Sequence, residues 1–169
     1  VSEIIIIANY NLGEFQMLFP ESEYKGMNVS LLCVDSASVT AESVKNAANE
    51  DEETVLVINA DSYFEFNLSK AYSRHIINKN DVTIICKNVD DPRDYAVINE
   101  TEEGVITEIV EKPDWSGVFS DLVDCGVYFI EHSVWGVVEE NETGIFLRSV
   151  FSEAINSGLK VCTFKATEY

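Results

Sequence analysis

The sequence predicts a single three-layer α/β domain over residues 1–169, with a mixed, mostly parallel sheet that includes one antiparallel hairpin. Three observations predict it. In the first half, short β-branched runs alternate with stretches of helical period. The run Val55-Leu-Val-Ile-Asn-Ala60 is apolar without alternation, as a strand covered on both faces requires. In the second half, two strand-like segments flank Thr101-Glu-Glu-Gly104, the pattern of an antiparallel hairpin.

Each element has its own warrant. Residues 4–8 read as a buried strand. Residues 11–19 carry Leu12, Phe15, Leu18 and Phe19 on one helical face. Residues 29–34 form the next strand. Thr40 can cap a helix through residue 48, with Val44, Ala47 and Ala48 inward. The acidic run 50–53 is a solvated loop, and residues 54–60 are a strand. Asn67 or Ser69 caps a helix that runs to Asn78, and residues 82–89 are a strand. The order is therefore βαβαβαβ, and right-handed crossovers imply a parallel sheet between helices. Residues 95–99 and 105–110 then pair as the hairpin, and residues 123–130 add a strand. Residues 145–157 form an amphipathic helix with Phe146, Leu147, Val150, Phe151, Ala154 and Ile155 inward, ending at Gly158. Residues 160–166 are the last strand.

Composition narrows the function classes. The 169 residues include 11 Lys and Arg against 30 Asp and Glu, a formal charge of −19 with a pI near 4.2. With 46% hydrophobic residues the chain can bury a core, which excludes disorder by composition. Its length suits one domain. The charge excludes a direct nucleic-acid or anionic-membrane binder, since both need basic surface. The first apolar run, residues 4–8, is too short for a membrane span or a signal-peptide core, so a cytoplasmic protein is expected. Cys33, Cys86, Cys125 and Cys162 each lie in an apolar run outside any C-x-x-C and read as reduced core thiols.

Ligands of open α/β sheets bind beyond the carboxyl ends of strands. Asp61 stands at the end of the most strand-like segment. A carboxylate there suits Mg²⁺, which takes a few oxygen ligands plus substrate phosphates; an Asx turn is the alternative. The glycines show neither G-x-G-x-x-G nor G-x-x-x-x-G-K spacing, which excludes a dinucleotide fingerprint and a P-loop. His75 and His132 lack a neighbouring nucleophile and read as structural. Glu111-Lys112-Pro113 ends a hairpin strand and could grip sugar hydroxyls and a phosphate, or form a strand-end ion pair.

Five segments, in order, resemble the sugar-1-phosphate nucleotidyltransferases. They are Ser43-Val-Lys-Asn-Ala47, Val55-Leu-Val-Ile-Asn-Ala-Asp61, Asp91-Pro-Arg-Asp-Tyr-Ala-Val97, Gly104-Val-Ile-Thr-Glu-Ile-Val-Glu-Lys-Pro113 and Asp124-Cys-Gly-Val-Tyr128. The stretch Glu111-Lys-Pro-Asp-Trp-Ser-Gly-Val-Phe-Ser-Asp121 looks most like the mannose-1-phosphate guanylyltransferase branch. The resemblance implies a Rossmann-like nucleotidyltransferase domain. It implies transfer of a nucleotidyl group from a nucleoside triphosphate, GTP first, to mannose- or glucose-1-phosphate, with Mg²⁺ as cofactor. Asp61 would hold the metal, and Asp61 and Lys112 would be catalytic. Glu111 and Lys112 would contact the sugar and its phosphate. Tyr95, Ala96 and Asp124 would line the sugar pocket, and Thr40 would lie along the base. A homo-oligomer is left open.

The resemblance also places the chain as a central piece of the catalytic domain, truncated at both ends. The family's G-T-R loop, its Pro-Lys motif and a Trp-x-Asp segment with a second metal-binding Asp would lie outside it, so the piece alone is expected to be inactive. Five positions depart from the family pattern, of which Ala60 and Ala96, each where the family has Gly, are mild changes and three are not. Val39 and Glu42 stand where the family has Gly, and Asp124 where it has Asn. They motivate a second reading, a non-catalytic regulatory or assembly module with a degenerate pocket. A receiver-like domain with Asp61 as phosphoacceptor is a third, weakened by the absence of acids at Ile7-Ala-Asn9.

Overall fold

A computed structural model describes residues 1–34, 41–48, 54–137 and 146–166, the side chains of 146–149 excepted. The elements follow as β1 (Glu3–Ala8), α1 (Leu12–Leu18), β2 (Glu23–Tyr24), β3 (Met27–Cys33), α2 (Ala41–Ala47), β4 (Thr54–Ile58), α3 (Leu68–Asn78), β5 (Val82–Asn88), β6 (Ala96–Glu100), β7 (Ile106–Glu111), β8 (Leu122–Glu131), a 3₁₀ turn (His132–Gly136), α4 (Phe146–Asn156) and β9 (Val161–Lys165). No helix among the described residues is long and apolar enough to cross a membrane.

The strands form two sheets. One has three strands in the order β1-β3-β2; the other has six, ordered β7-β6-β8-β5-β9 with β4 also on β8. The expected mostly parallel first half is corrected here. β1 and β3 are parallel, but β4 and β5 are not neighbours, because β8 lies between them and is antiparallel to both. The ten-residue β8 is long enough to pair with β4, β5 and β6, and its Val127 to Ile130 are covered on both strand faces, as a central strand requires. The expected hairpin forms as β6–β7, with Val97 opposite Val110 and Ala96 opposite Glu111.

Alternate residues of the central strands feed two cores. Ile84, Tyr128 and Ile130 pack with Val44 of α2 and Val150, Phe151 and Ala154 of α4. Ile85, Val127 and Phe129 pack with Ala71 of α3 and Phe164. Helices thus cover both faces, as the three-layer expectation requires. The Asn67 side chain accepts the Lys70 N–H at 2.9 Å and caps α3; Lys79, at φ 51°, closes its other end.

Several expectations fail in the small sheet. α1 buries no residue, and Leu18, expected inward, is 70% exposed. Cys33 is exposed rather than a core thiol, whereas Cys86 and Cys162 are buried and Cys125 half-buried. Both follow from the sheet having only three strands, whose one fully buried side chain is Val29. β2 was not anticipated. It pairs with β3 across Lys25 and Gly26, both at positive φ, the backbone of a two-residue hairpin turn.

Candidate functional site

The carboxyl end of β4 meets the middle of β8. Ile58 pairs with Val127, and just beyond it the Asn59 N–H donates to the Gly126 carbonyl at 2.8 Å. The chain then turns, the Ser62 N–H donating to the Asn59 carbonyl at 3.0 Å, which leaves Asp61 exposed at the tip. Gly126 has φ +74°, and a Cβ on it would lie 2.8 Å from Asn59 Nδ2 and collide with Ser62 Oγ. The left-handed backbone and the packing of the Asn59 and Ser62 side chains over this position therefore favour glycine.

Asp124 faces this junction. Its Oδ1 accepts the Gly126 N–H at 2.9 Å and its Oδ2 accepts the Tyr128 hydroxyl at 2.6 Å. Burial pushes its carboxyl up to about 6, against those two hydrogen bonds, and the nearby Glu111 charge adds to the rise. Tyr128 is fully buried, also hydrogen-bonds Asn59, and its phenol is raised far above the usual tyrosine range, chiefly by burial and then by Asp124. The Cys86 thiol, fully buried on β5, is raised well above the usual range, first by burial and next by Asp124. It is an inert packing group.

Glu111 and Lys112 end β7 opposite the start of β6. Ala96 is the cross-strand partner of Glu111, and the Lys112 N–H donates to the Tyr95 carbonyl at 2.9 Å. Lys112 has φ 41°, a left-handed conformation that side chains with a Cβ avoid. Tyr95 is half-exposed, with the Lys87 ammonium 5.9 Å from its ring. Glu111 and Lys112 form no ion pair among the described residues; those present there join His75 to Glu131, Arg93 to Asp91 and Lys165 to Glu100. The Lys112 side chain is exposed and that of Glu111 half-buried.

The structure brings Asp124, Glu111, Asn59, Ser62 and Tyr128 to one junction, with Asp61 at its rim and Ala96 beside Glu111 on the next strand. Thr40 and Val39 lie outside the described residues. Asn59, Ser62, Gly126 and Tyr128 were missed as site residues, although Gly126 sits two residues after Asp124 in the sequence and could have flagged a close approach. A cavity of about 540 Å³ lies elsewhere, lined by Phe66, Lys70, Arg74, Glu100 and Thr163 among others. No three His, Cys, Asp or Glu side chains among the described residues converge as a metal cage. Asp61 is a single hard oxygen donor. That matches Mg²⁺ only in its usual mode, in which one or two carboxylates hold it together with water and substrate phosphates.

A family model described as "Nucleotidyl transferase" matches residues 1–169. The bifunctional protein GlmU of Methanococcus maripaludis is 30% identical over 139 residues, 82% of this chain and 31% of that protein. Probable mannose-1-phosphate guanylyltransferase 3 of Arabidopsis thaliana is 25% identical over 153 residues, 86% of this chain and 45% of that protein. The matched part of this chain therefore spans 31% and 45% of the length of these two curated relatives. Among solved structures, a putative glucose-1-phosphate thymidylyltransferase from Bacillus anthracis, in complex with a sucrose, superposes with a TM-score of 0.83 at 18% identity. It covers all of this chain and 70% of that one. HddC from Yersinia pseudotuberculosis gives 0.78 at 18% identity, over all of this chain and 72% of that one. These likenesses establish the α/β fold.

Proposed function

This chain belongs to the nucleotidyl transferase family, and from that membership we propose that the protein carrying it joins a sugar 1-phosphate to a nucleoside triphosphate. In the reaction, an oxygen of the sugar phosphate attacks the α-phosphorus, the α–β phosphoanhydride bond breaks, and pyrophosphate leaves. The observation that carries this reading is the match along the whole chain, whose motif residues Asp61, Glu111 and Asp124 also gather at one strand-end junction.

Within the proposal each group has a task. Lys112 meets the sugar phosphate and offsets its charge, and Glu111 accepts hydrogen bonds from sugar hydroxyls. Tyr95 and Ala96 form the wall beside them. Asp61 is one oxygen donor for Mg²⁺, which would neutralise the triphosphate when bound. Holding both reactants in line is the fold's main contribution. GTP and mannose 1-phosphate are the first choices, because residues 111–121 look most like that branch and a mannose-1-phosphate guanylyltransferase is among the relatives.

The test is pyrophosphate release by the complete gene product with Mg²⁺, each common nucleoside triphosphate, and mannose- or glucose-1-phosphate. Release with GTP and mannose 1-phosphate is expected. Lys112→Ala and Asp61→Asn are each expected to lower turnover by about a hundredfold, in line with losing one charge-stabilising contact. No release with any pair would refute the reading.

A second reading is favoured by two observations. Both oxygens of Asp124 are already engaged by Gly126 and Tyr128, and Glu42, where the family has glycine, is exposed in the first turn of α2. A pocket so altered would suit a regulatory or assembly subunit. Calorimetric titration of the complete gene product with Mg·GTP separates the two, since micromolar binding argues against the degenerate pocket.

A further inference from the structure

Beyond the ladder of β6 and β7 the two chain tails diverge into tight turns. In the first, the Tyr95 N–H donates to the Pro92 carbonyl at 3.0 Å. In the second, Asp114 Oδ1 accepts the N–H groups of Ser116 and Gly117 at 3.0 and 3.1 Å. Pro92 and Pro113, at the roots of these turns, are buried. One side chain bridges the two. The Arg93 guanidinium lies 4.3 Å from the Trp115 ring centroid. It is also chelated by Asp91, through Nε to Oδ1 at 2.8 Å and Nη2 to Oδ2 at 2.5 Å. Planar guanidinium geometry suits both contacts at once.

The bridge is on the surface. The side chains of Arg93 and Asp91 are 42% and 50% exposed, and Trp115 is 62% exposed. Exposed ion pairs add little to global stability, so its effect is local. Lys112 lies between the two turns in the chain path: its left-handed backbone is held on one side by its N–H bond to Tyr95 and leads on the other into the 114–117 turn that carries Trp115. A conformation of that kind persists only where the surroundings over-determine it, and such residues gather at functional sites.

We propose that Arg93 is a positioning residue: by stacking on Trp115 while chelated by Asp91, it closes the open end of the β6–β7 hairpin and aims Glu111 and Lys112 at the sugar phosphate. This rests on the reading of Lys112 given above. Arg93 need not touch substrate. Its loss lets the 112–117 segment relax, so the sugar-phosphate end of the site suffers and the nucleotide end does not.

The test compares the complete gene product with Arg93→Ala, Arg93→Lys, Trp115→Phe and Lys112→Ala, using two readouts. The first is KM for each substrate. Arg93→Ala is expected to raise KM for the sugar 1-phosphate about tenfold while KM for the nucleotide stays within about twofold, the size of a small misplacement of a binding group. Arg93→Lys, which keeps the cation but not the fork, and Trp115→Phe, which keeps an aromatic face, are expected to fall between. The second readout is hydrogen exchange at the Lys112 amide, which Arg93→Ala is expected to accelerate about tenfold. An unchanged Lys112 exchange rate, or an equal rise in both KM values, overturns the proposal. If Lys112→Ala leaves the sugar 1-phosphate KM unaltered, or the unaltered gene product releases no pyrophosphate, the functional reading fails instead, and exchange alone judges the clamp: faster exchange supports it and unchanged exchange overturns it.

Discussion

Gly126 shows how much one missing Cβ can decide. Its positive φ and the 2.8 Å approach to Asn59 allow the end of β4 to sit against β8. Gly126→Ala is expected to destabilise the chain by about 2–4 kcal/mol, the sum of left-handed strain and overpacking, read as a lower urea midpoint at unchanged m-value. Asp124 adds a pH signature. Its folded-state value, about 6, lies above that of an unfolded Asp, so the native state holds the proton longer. Stability contributed by this group is greatest below the unfolded value and is lost as pH rises from about 4 through 6. Asp124→Asn is expected to flatten urea midpoints across that interval, and an equally steep slope in the variant would show that another group is responsible. Asp91 behaves oppositely. Its hydrogen bonds from Arg93 hold it down to about 2, so the clamp persists throughout that range and loosens only in strong acid.

α3 shows what holds a single element in place. Its outward face is polar or exposed, and its inward face has only Ala71 and His75 fully buried. The His75 ring bridges Thr83 Oγ1 at 2.8 Å and Glu131 Oε1 at 2.7 Å, and Thr54 donates to the same carboxylate oxygen at 2.6 Å. One ring thus ties α3 to β4, β5 and β8, which agrees with the structural role expected for this histidine. His75→Ala removes one of the hydrogen-bond partners of Thr83 and of Glu131, which keep Asn80 and Thr54, and opens a void, with an expected loss of about 2–4 kcal/mol in chemical denaturation. Asn67→Ala removes only the cap, so about 1 kcal/mol is expected by the same measurement. A cap loss as large as the His75 loss would mean that helix formation, not packing, limits this element.

Over the whole molecule the two sheets should differ in stability. The six-stranded sheet contributes nearly all of the two cores, whereas the three-stranded sheet buries only Val29 fully. Amide exchange in β1 and β3 is expected to be at least about a hundredfold faster than in β5 and β8, since local opening there exposes little apolar surface. Equal protection would mean that the sheets open together. The charge of −19 acts on the entire chain. Raising salt from about 10 mM to 500 mM shortens the screening length severalfold and is expected to raise the urea midpoint by relieving self-repulsion.

The existence and order of the large-sheet elements were legible in the sequence, because local periodicity and caps encode them: Asn67 before α3, Gly158 after α4, and the turn at Thr101 to Gly104 between β6 and β7. Motif residues such as Asp61, Glu111 and Lys112 were legible as residue types at strand ends. The sequence could not tell which strand takes the centre, since Val55–Ile58 and Val127–Ile130 are equally apolar and only pairing distinguishes them. Nor could it tell that α1 stays uncovered, because amphipathic spacing states which face is apolar and not whether anything packs on it. The inward turn of Asp124, the left-handed Lys112 and the Arg93–Trp115 bridge belong to the tertiary structure alone. The last two depend on a partner from a different turn or strand, and Asp124, bonded within its own strand, is buried by the elements around it; such contacts follow from the meeting of backbones that no local pattern records.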